Sequence, residues 1–205
     1  MDILQKLKNN QRRIGLTGGI ASGKTPITNY IRKHKNIPIL DADDFSRELI
    51  KPNTYGYEKI LNYFGNQIIH NKNNSEKTIN RKLLRNIIFK NSKSKEWIEK
   101  LLHPLIKEKI IEECSQYKNN QIILMVIPLL FEAKFEDICT EIWLVKCPIE
   151  TQKKSLMPRD KISEKEESES INLQLSFEEK RKFSDIILDN SDDQNKWIKT
   201  LRELL

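Results

Sequence analysis

The segment Gly18-Gly19-Ile20-Ala21-Ser22-Gly23-Lys24-Thr25 matches G-x-x-x-x-G-K-[ST] in full, and no other stretch of the chain restricts its fold so tightly. Each residue type has a physical reason. Glycines let the backbone turn its N–H groups inward around phosphates without Cβ clashes. A helix starting after the loop adds partial positive charge at the same point. Lys24 can bridge the β- and γ-phosphates, and the Thr25 hydroxyl can ligate Mg2+. Gly18, Gly19, Ala21, Ser22, Gly23, Lys24, Thr25 and Pro26 are therefore the expected ATP contacts. The bland alternative is a glycine-rich strand-to-helix turn with a solvated lysine. The flanks weigh against it: Arg13 to Thr17 reads as a short buried strand, and Thr25 to His34 as a helix with Ile27, Tyr30 and Ile31 at helical spacing.

A second apolar run, Ile37 to Leu40, ends on Asp41-Ala42-Asp43-Asp44 and completes a βα unit leading into a parallel strand. Phe45 to His103 is helix-rich and polar, with an Asn/Lys-dense loop expected at 70–77. Gln121 to Ile127 and Glu141 to Lys146 are continuous apolar runs of the kind buried parallel strands need. Ser155 to Gln174 is highly charged and reads as exposed. Ser184 to Leu188 is a last short strand, and Gln194 to Leu205 a closing helix with Trp197, Leu201 and Leu204 on one face. The expected architecture is one α/β domain with a helical insertion and a lid.

Composition narrows the function classes. At 205 residues, 38% hydrophobic and 32% charged, the chain has the make-up of a globular protein with one sizeable core. No run approaches the roughly 18 apolar residues that cross a bilayer, and Met1 to Arg13 lacks the apolar core of a secretory signal. No membrane partner is expected. Three widely spaced cysteines, Cys114, Cys139 and Cys147, argue against a disulfide framework and a CxxC zinc site, and for a reducing cytoplasm. The net charge of +7 is spread along the chain and interleaved with acids, so no nucleic-acid partner is expected; a basic cleft for a polyanionic small molecule accounts for it equally well.

A phosphate loop specifies a nucleotide, not a reaction. Neither Asn71-Lys72 nor Asn195-Lys196 continues into the NKxD guanine motif, and the run from Gln121 to Pro128 has no terminal carboxylate of the motor-ATPase kind. Carboxylates cluster instead at Asp41 and Asp43, after the second strand, on the sheet edge where α/β folds bind ligands. There one could accept the proton of an attacking hydroxyl and the other hold a metal-bound water. The same residues could equally be the cap and first turn of the next helix.

In their order along the chain, these segments resemble dephospho-CoA kinases. The resemblance rests on Thr17-Gly18-Gly19-Ile20 through Lys24, Asp41-Ala42-Asp43 followed by Arg47, Leu102-His103-Pro104, and Pro128-Leu129-Leu130-Phe131-Glu132. Arg159-Asp160, Gln174 with Glu179-Lys180, and Asp189-Asn190 extend it, so that it covers about Ile14 to Ser191. It implies ATP-dependent phosphorylation of the ribose 3′-hydroxyl of dephospho-CoA, the last step of coenzyme A synthesis, with Mg2+. It also implies a three-layer P-loop kinase fold with a five-stranded parallel sheet: core 13–48, 105–150 and 176–205, a helical substrate domain 49–104 and a lid 151–175. On that reading Asp43 is the base, Asp41 a metal or water partner, and Arg47, His103 and Glu132 substrate residues. Arg159 is a lid catalytic residue and Asn190 an ATP contact. For His103, a hydrogen-bonded structural role is equally open.

Four positions depart from the family pattern: Pro26 for a usual threonine, Val126 for a common acid, and Ser155 and Ser170 where the lid usually carries arginines. An arginine closing on a transferring phosphoryl group can be worth about 10³ to 10⁵ in rate. The expectation is a working but slow kinase. The alternatives are another P-loop small-molecule kinase, or a nucleotide-binding homologue with impaired catalysis.

Overall fold

The computed structural model describes residues 7, 10–72, 76–117, 121–160, 171, 173–191 and 194–205, and the side chains of all of these except 71, 72, 76, 157–160, 194 and 195. The chain divides into two compact units, Met1–Asp41 with Glu113–Leu205, and Ala42–Glu112.

The first unit is built on a sheet of five parallel strands in the order β2-β5-β1-β6-β7: β1 (Arg12–Gly18), β2 (Ile39–Asp41), β5 (Ile122–Val126), β6 (Glu141–Lys146) and β7 (Ile186–Asp189). The near-continuous apolar runs in these strands reflect a sheet covered on both faces. On one face Ile27 and Ile31 of α1 (Lys24–His34) join Trp197 and Leu201 of the C-terminal helix (Gln194–Leu204). They pack on Ile14, Leu16, Val126, Trp143 and Val145. On the other, Cys114 reaches Met125 at 3.9 Å. There Gly15 leaves no room for a side chain, because a Cβ would lie 2.6 Å from Cys139 Sγ and 2.7 Å from Leu130 Cδ1. Burying each aliphatic side chain of such a core contributes about 1.5–3 kcal/mol. The expected α/β fold with a five-stranded parallel sheet is therefore what the chain adopts.

The second unit contains α2 (Ala42–Glu48), α3 (Tyr55–Phe64), α4 (Arg81–Lys90) and most of α5 (Ser92–Gln116). Its core is Tyr57, Ile60, Phe64, Ile68, Ile79, Leu84 and Ile98. Side-chain caps start two of its helices: Thr54 Oγ1 accepts from Tyr57 N–H, and Asn80 Oδ1 from Leu83 N–H.

Two features of this unit are not evident in the sequence. Where an Asn/Lys-rich loop was expected, β3 (Ile69–Lys72) and β4 (Glu76–Ile79) form an antiparallel pair. Asparagine and lysine have weak strand propensity, so the pairing is set by context: buried Ile68 and Ile79 anchor its ends, and Tyr57 Oη donates to the Lys77 carbonyl at 2.6 Å. Pro104, one of the motif residues quoted from the sequence, sits inside the 25-residue α5. The helix continues through it without the bond that its N–H would have made to the Lys100 carbonyl.

Candidate active site

Because every strand of the large sheet is parallel, the C-terminal ends of β1, β2 and β7 share one edge. The register fixes the levels. Leu16 and Asp41 both face Val126, and Gly18 faces Val145, which in turn pairs with Leu188. Asp41 thus lies level with Leu16 near the end of β1, just before the phosphate loop, with β5 between the two. Val126, at the position where an acid is common, is buried in the apolar cluster and supplies no carboxylate.

The loop leaves β1 at Gly18 and enters α1 through Gly23, whose φ of 103° is the left-handed conformation that glycine adopts without penalty. A Cβ at Gly23 would also collide with Asn190 Nδ2. Ala21 has φ 55°, a conformation that costs an L-residue roughly 1–2 kcal/mol. Neighbouring groups hold that strain. Gln174 Oε1 accepts the Ile20 N–H at 2.9 Å, and Asn190 Nδ2 donates to the Ser22 carbonyl at 3.0 Å. Asn190 is itself oriented, because Trp197 Nε1 donates to its Oδ1 at 3.2 Å. Ser22 N–H closes the turn onto Gly19 O at 3.1 Å.

Lys24 Nζ donates to the carbonyls of Gly18 and Gly19 at 2.8 and 2.9 Å, which holds the ammonium over the loop. The first turn of α1 contains no acidic residue, so the positive end of the helix is not neutralised there. Thr25 is exposed, and Pro26 occupies the first turn, where a missing N–H leaves no intrahelical bond unmade.

Beside Gly19 lies a cavity of about 330 Å³, lined among others by Val145, Cys147, Gln152, Gln174 and Lys180. Lys180 is buried, and its Nζ lies 2.9 Å from Glu132 Oε1. Glu132, expected as a substrate residue, therefore meets this cavity through Lys180. Asp189, at the end of β7, is held below the ordinary carboxylate pKa. Its hydrogen bonding with Ser191 is the main cause and outweighs the opposing cost of burial, and Lys146 and Lys196 add smaller pulls in the same direction.

Three expected site residues belong to the second unit. Asp43 and Arg47 stand four apart on α2, hence on one face of it. Asp43 is exposed, and Arg47 pairs with Asp44 at 2.8 Å in an equally exposed i,i+3 bridge. As the residue reading allowed, Asp43 and Asp44 form the first turn of this helix. His103 is half-buried on α5, and burial pushes its pKa down against the opposing pull of Glu99.

The remaining positions are less informative. Ser155 is exposed on α6 (Ile149–Asp160), whereas the side chain of Arg159 and all of Ser170 lie outside the described residues. Gln174, Lys180 and Trp197 carry no role in the sequence reading. Gln174 and Lys180 stand among its motif residues, but their partners are far away in the chain.

Comparison with known proteins agrees with this geometry. The family model described as CoaE, dephospho-CoA kinase, matches residues 12–196. A dephospho-CoA kinase of Prochlorococcus marinus strain MIT 9312 is 84% identical over 205 residues, covering 100% of both chains. The solved dephospho-CoA kinase from Campylobacter jejuni superposes with a TM-score of 0.67 at 28% identity, covering 94% of this chain and 96% of that one. The structure of TT1252 from Thermus thermophilus, at 24% identity, has the same fold with a TM-score of 0.78 over 96% of this chain and 97% of that one. The chain belongs to the dephospho-CoA kinase family.

Proposed function

We propose that this chain transfers the γ-phosphoryl group of ATP to the ribose 3′-hydroxyl of dephospho-CoA, yielding coenzyme A and ADP. The observation that carries the reading is the complete phosphate loop at the C-terminal end of β1, with Lys24 held over it and Asp41 on the same sheet edge, in a chain of this family.

In the step, the 3′-oxygen forms a bond to the γ-phosphorus as the bond to the β-γ bridging oxygen breaks and ADP leaves. The hydroxyl proton passes to Asp43. The loop amides and Lys24 hold the phosphates and stabilise the charge that moves onto ADP. Arg47 and His103 bind the acceptor substrate, Arg159 stabilises charge on the transferring group, and Asn190 and Pro26 border the nucleotide. The donors for Mg2+ are hard oxygens, the Thr25 hydroxyl and the Asp41 carboxylate. Among the described residues no cluster of three or more His, Cys, Asp or Glu forms a metal cage, which suits a cation that takes only one or two protein ligands besides phosphate. When bound, Mg2+ neutralises phosphate charge. We place the reaction in the cytoplasm, a reading supported by the free Cys114, Cys139 and Cys147.

The test is ADP formation with dephospho-CoA beside nucleosides and nucleoside monophosphates, at equal concentrations with ATP and Mg2+. Turnover with dephospho-CoA well above the others supports the assignment. Equal or greater turnover with a nucleoside monophosphate overturns the acceptor, and no ADP above background with any acceptor overturns the activity.

A further inference from the structure

Two polar groups packed near the phosphate loop have no part in the step above. Glu132 and Lys180 form an ion pair whose side chains are only 19% and 1% exposed, a burial that charged groups rarely accept without a structural return. Glu132 Oε1 also accepts the Leu175 N–H at 3.0 Å, so the pair grips the backbone of the segment just before the helix Phe177–Arg181. The preceding residue of that segment is Gln174, and its Oε1 accepts the N–H of Ile20 in the loop. Two consecutive residues thus join the buried pair to the tip of the loop.

The place of contact matters. Ile20 precedes Ala21, the non-glycine residue of the loop with positive φ, and Ser22 follows it. One carboxamide, Gln174, binds the Gly19–Ile20 peptide through its N–H, and another, Asn190, binds the Ser22–Gly23 peptide through its carbonyl, so that both residues flanking Ala21 are held. Relaxation of Ala21 out of the left-handed region would turn the following N–H groups away from the phosphates. A carboxamide bound on each side opposes that rotation.

We propose that Gln174 is a positioning residue for ATP, acting through Ile20 on the loop, and that the Glu132–Lys180 pair acts through Gln174 by holding residues 174–175 in register. This rests on the reading of the loop as the ATP site. It makes Glu132 part of the nucleotide machinery rather than a contact to the acceptor.

The test uses the full chain, with titration of a non-hydrolysable ATP analogue beside steady-state kinetics. Gln174→Met keeps the length and packing of the side chain but lacks the acceptor oxygen. A lost hydrogen bond of this kind should raise the dissociation constant of the analogue, and KM for ATP, about fivefold to tenfold. KM for dephospho-CoA should stay within about twofold, and the melting temperature within about 2 °C, as expected for a partly exposed side chain. Glu132→Gln with Lys180→Met removes both buried charges together, which avoids leaving one unpaired. It should weaken analogue binding in the same direction, and adding Gln174→Met to it should cause little further loss, because all three substitutions break one connection.

Wild-type affinity in Gln174→Met overturns the proposal. So does full additivity of Gln174→Met with the charge-pair variant, or a rise in KM for dephospho-CoA instead of ATP. If the wild-type chain itself fails to bind the analogue, the assignment of the ATP site fails instead.

Discussion

In the first unit the polar groups around the phosphate loop are held from more than one side. Lys24 bonds to two carbonyls, Asn190 links Trp197 to Ser22, and Gln174 holds Ile20. In the second unit Asp43 and Arg47 stand exposed on a seven-residue helix. There the Arg47–Asp44 bridge, with side chains 52% and 64% exposed, is of a kind worth only a few tenths of a kcal/mol. The difference lies in how firmly the surrounding structure holds the expected residues of each unit. The groups expected to meet phosphate are set before the ligand arrives, which lowers the ordering cost of binding. The Arg47 side chain, expected to meet the acceptor, can be reoriented cheaply when it arrives.

That contrast can be broken most strongly at Lys24. Lys24→Met should reduce kcat/KM for ATP by about 10² to 10³, the cost of removing one preorganised group that stabilises transition-state charge. The circular dichroism spectrum should not change. A fall of less than tenfold would mean that the ammonium held over the loop is not part of the chemistry.

The second unit can be damaged by itself. Ile60 is fully buried in its core, so Ile60→Ala should cost about 2–5 kcal/mol of stability, read by denaturant unfolding. At temperatures where this variant remains folded, ATP-analogue affinity should hold while KM for dephospho-CoA rises. An equal loss of both would remove the division of labour.

A smaller effect is expected at Ser155. Ser155→Arg on the exposed face of α6 places a guanidinium where the sequence reading expected a lid arginine, and kcat should rise severalfold, well short of the roughly 10³ or more that a fully positioned arginine can supply. No rise, or a fall, would show that other residues already fill this role.

The smallest expected effect lies at the far edge of the first unit. Burial pushes Glu141 up in pKa, but hydrogen bonds from Arg12 and Trp143 outweigh this and leave it below its ordinary 4.5. A carboxylate with a lowered folded pKa contributes stability above its unfolded value and loses it as pH falls through the folded one. Glu141→Gln should therefore lower the melting temperature near neutral pH, by an amount equivalent to under about 1 kcal/mol for a partly exposed pair. The gap between variant and wild type should close as pH falls from the ordinary 4.5 through the lowered folded value. A gap that persists in acid would mean that packing, not charge, joins β1 to β6.

The legible parts of the chain were those whose cause is local. The run Glu141 to Lys146 is β6 to the residue, and the strand read at Arg13 to Thr17 is β1 with one residue added at each end. A buried parallel strand announces itself as consecutive apolar residues, and a phosphate loop as glycines at fixed spacing. The β3–β4 pair was missed because its asparagines and lysines carry no strand signal, and the reason lies in the packing of Ile79 at its end and of Ile68 and Tyr57 beside it. Gln174 could be quoted as a motif residue but given no role, since its partner Ile20 is 154 residues away. For the same reason the sequence does not reveal Lys180 as the partner of Glu132.

The central claim is that one chain brings an ATP loop and an acceptor base to a single phosphoryl transfer. The most direct measurement is single-turnover formation of coenzyme A from dephospho-CoA and ATP by wild type and by Asp43→Asn, with binding of both substrates measured in parallel. The account predicts that both proteins bind both substrates and that Asp43→Asn is slower by about 10² to 10⁴, the usual contribution of a positioned general base. A variant that turns over within a few-fold of wild type would contradict it.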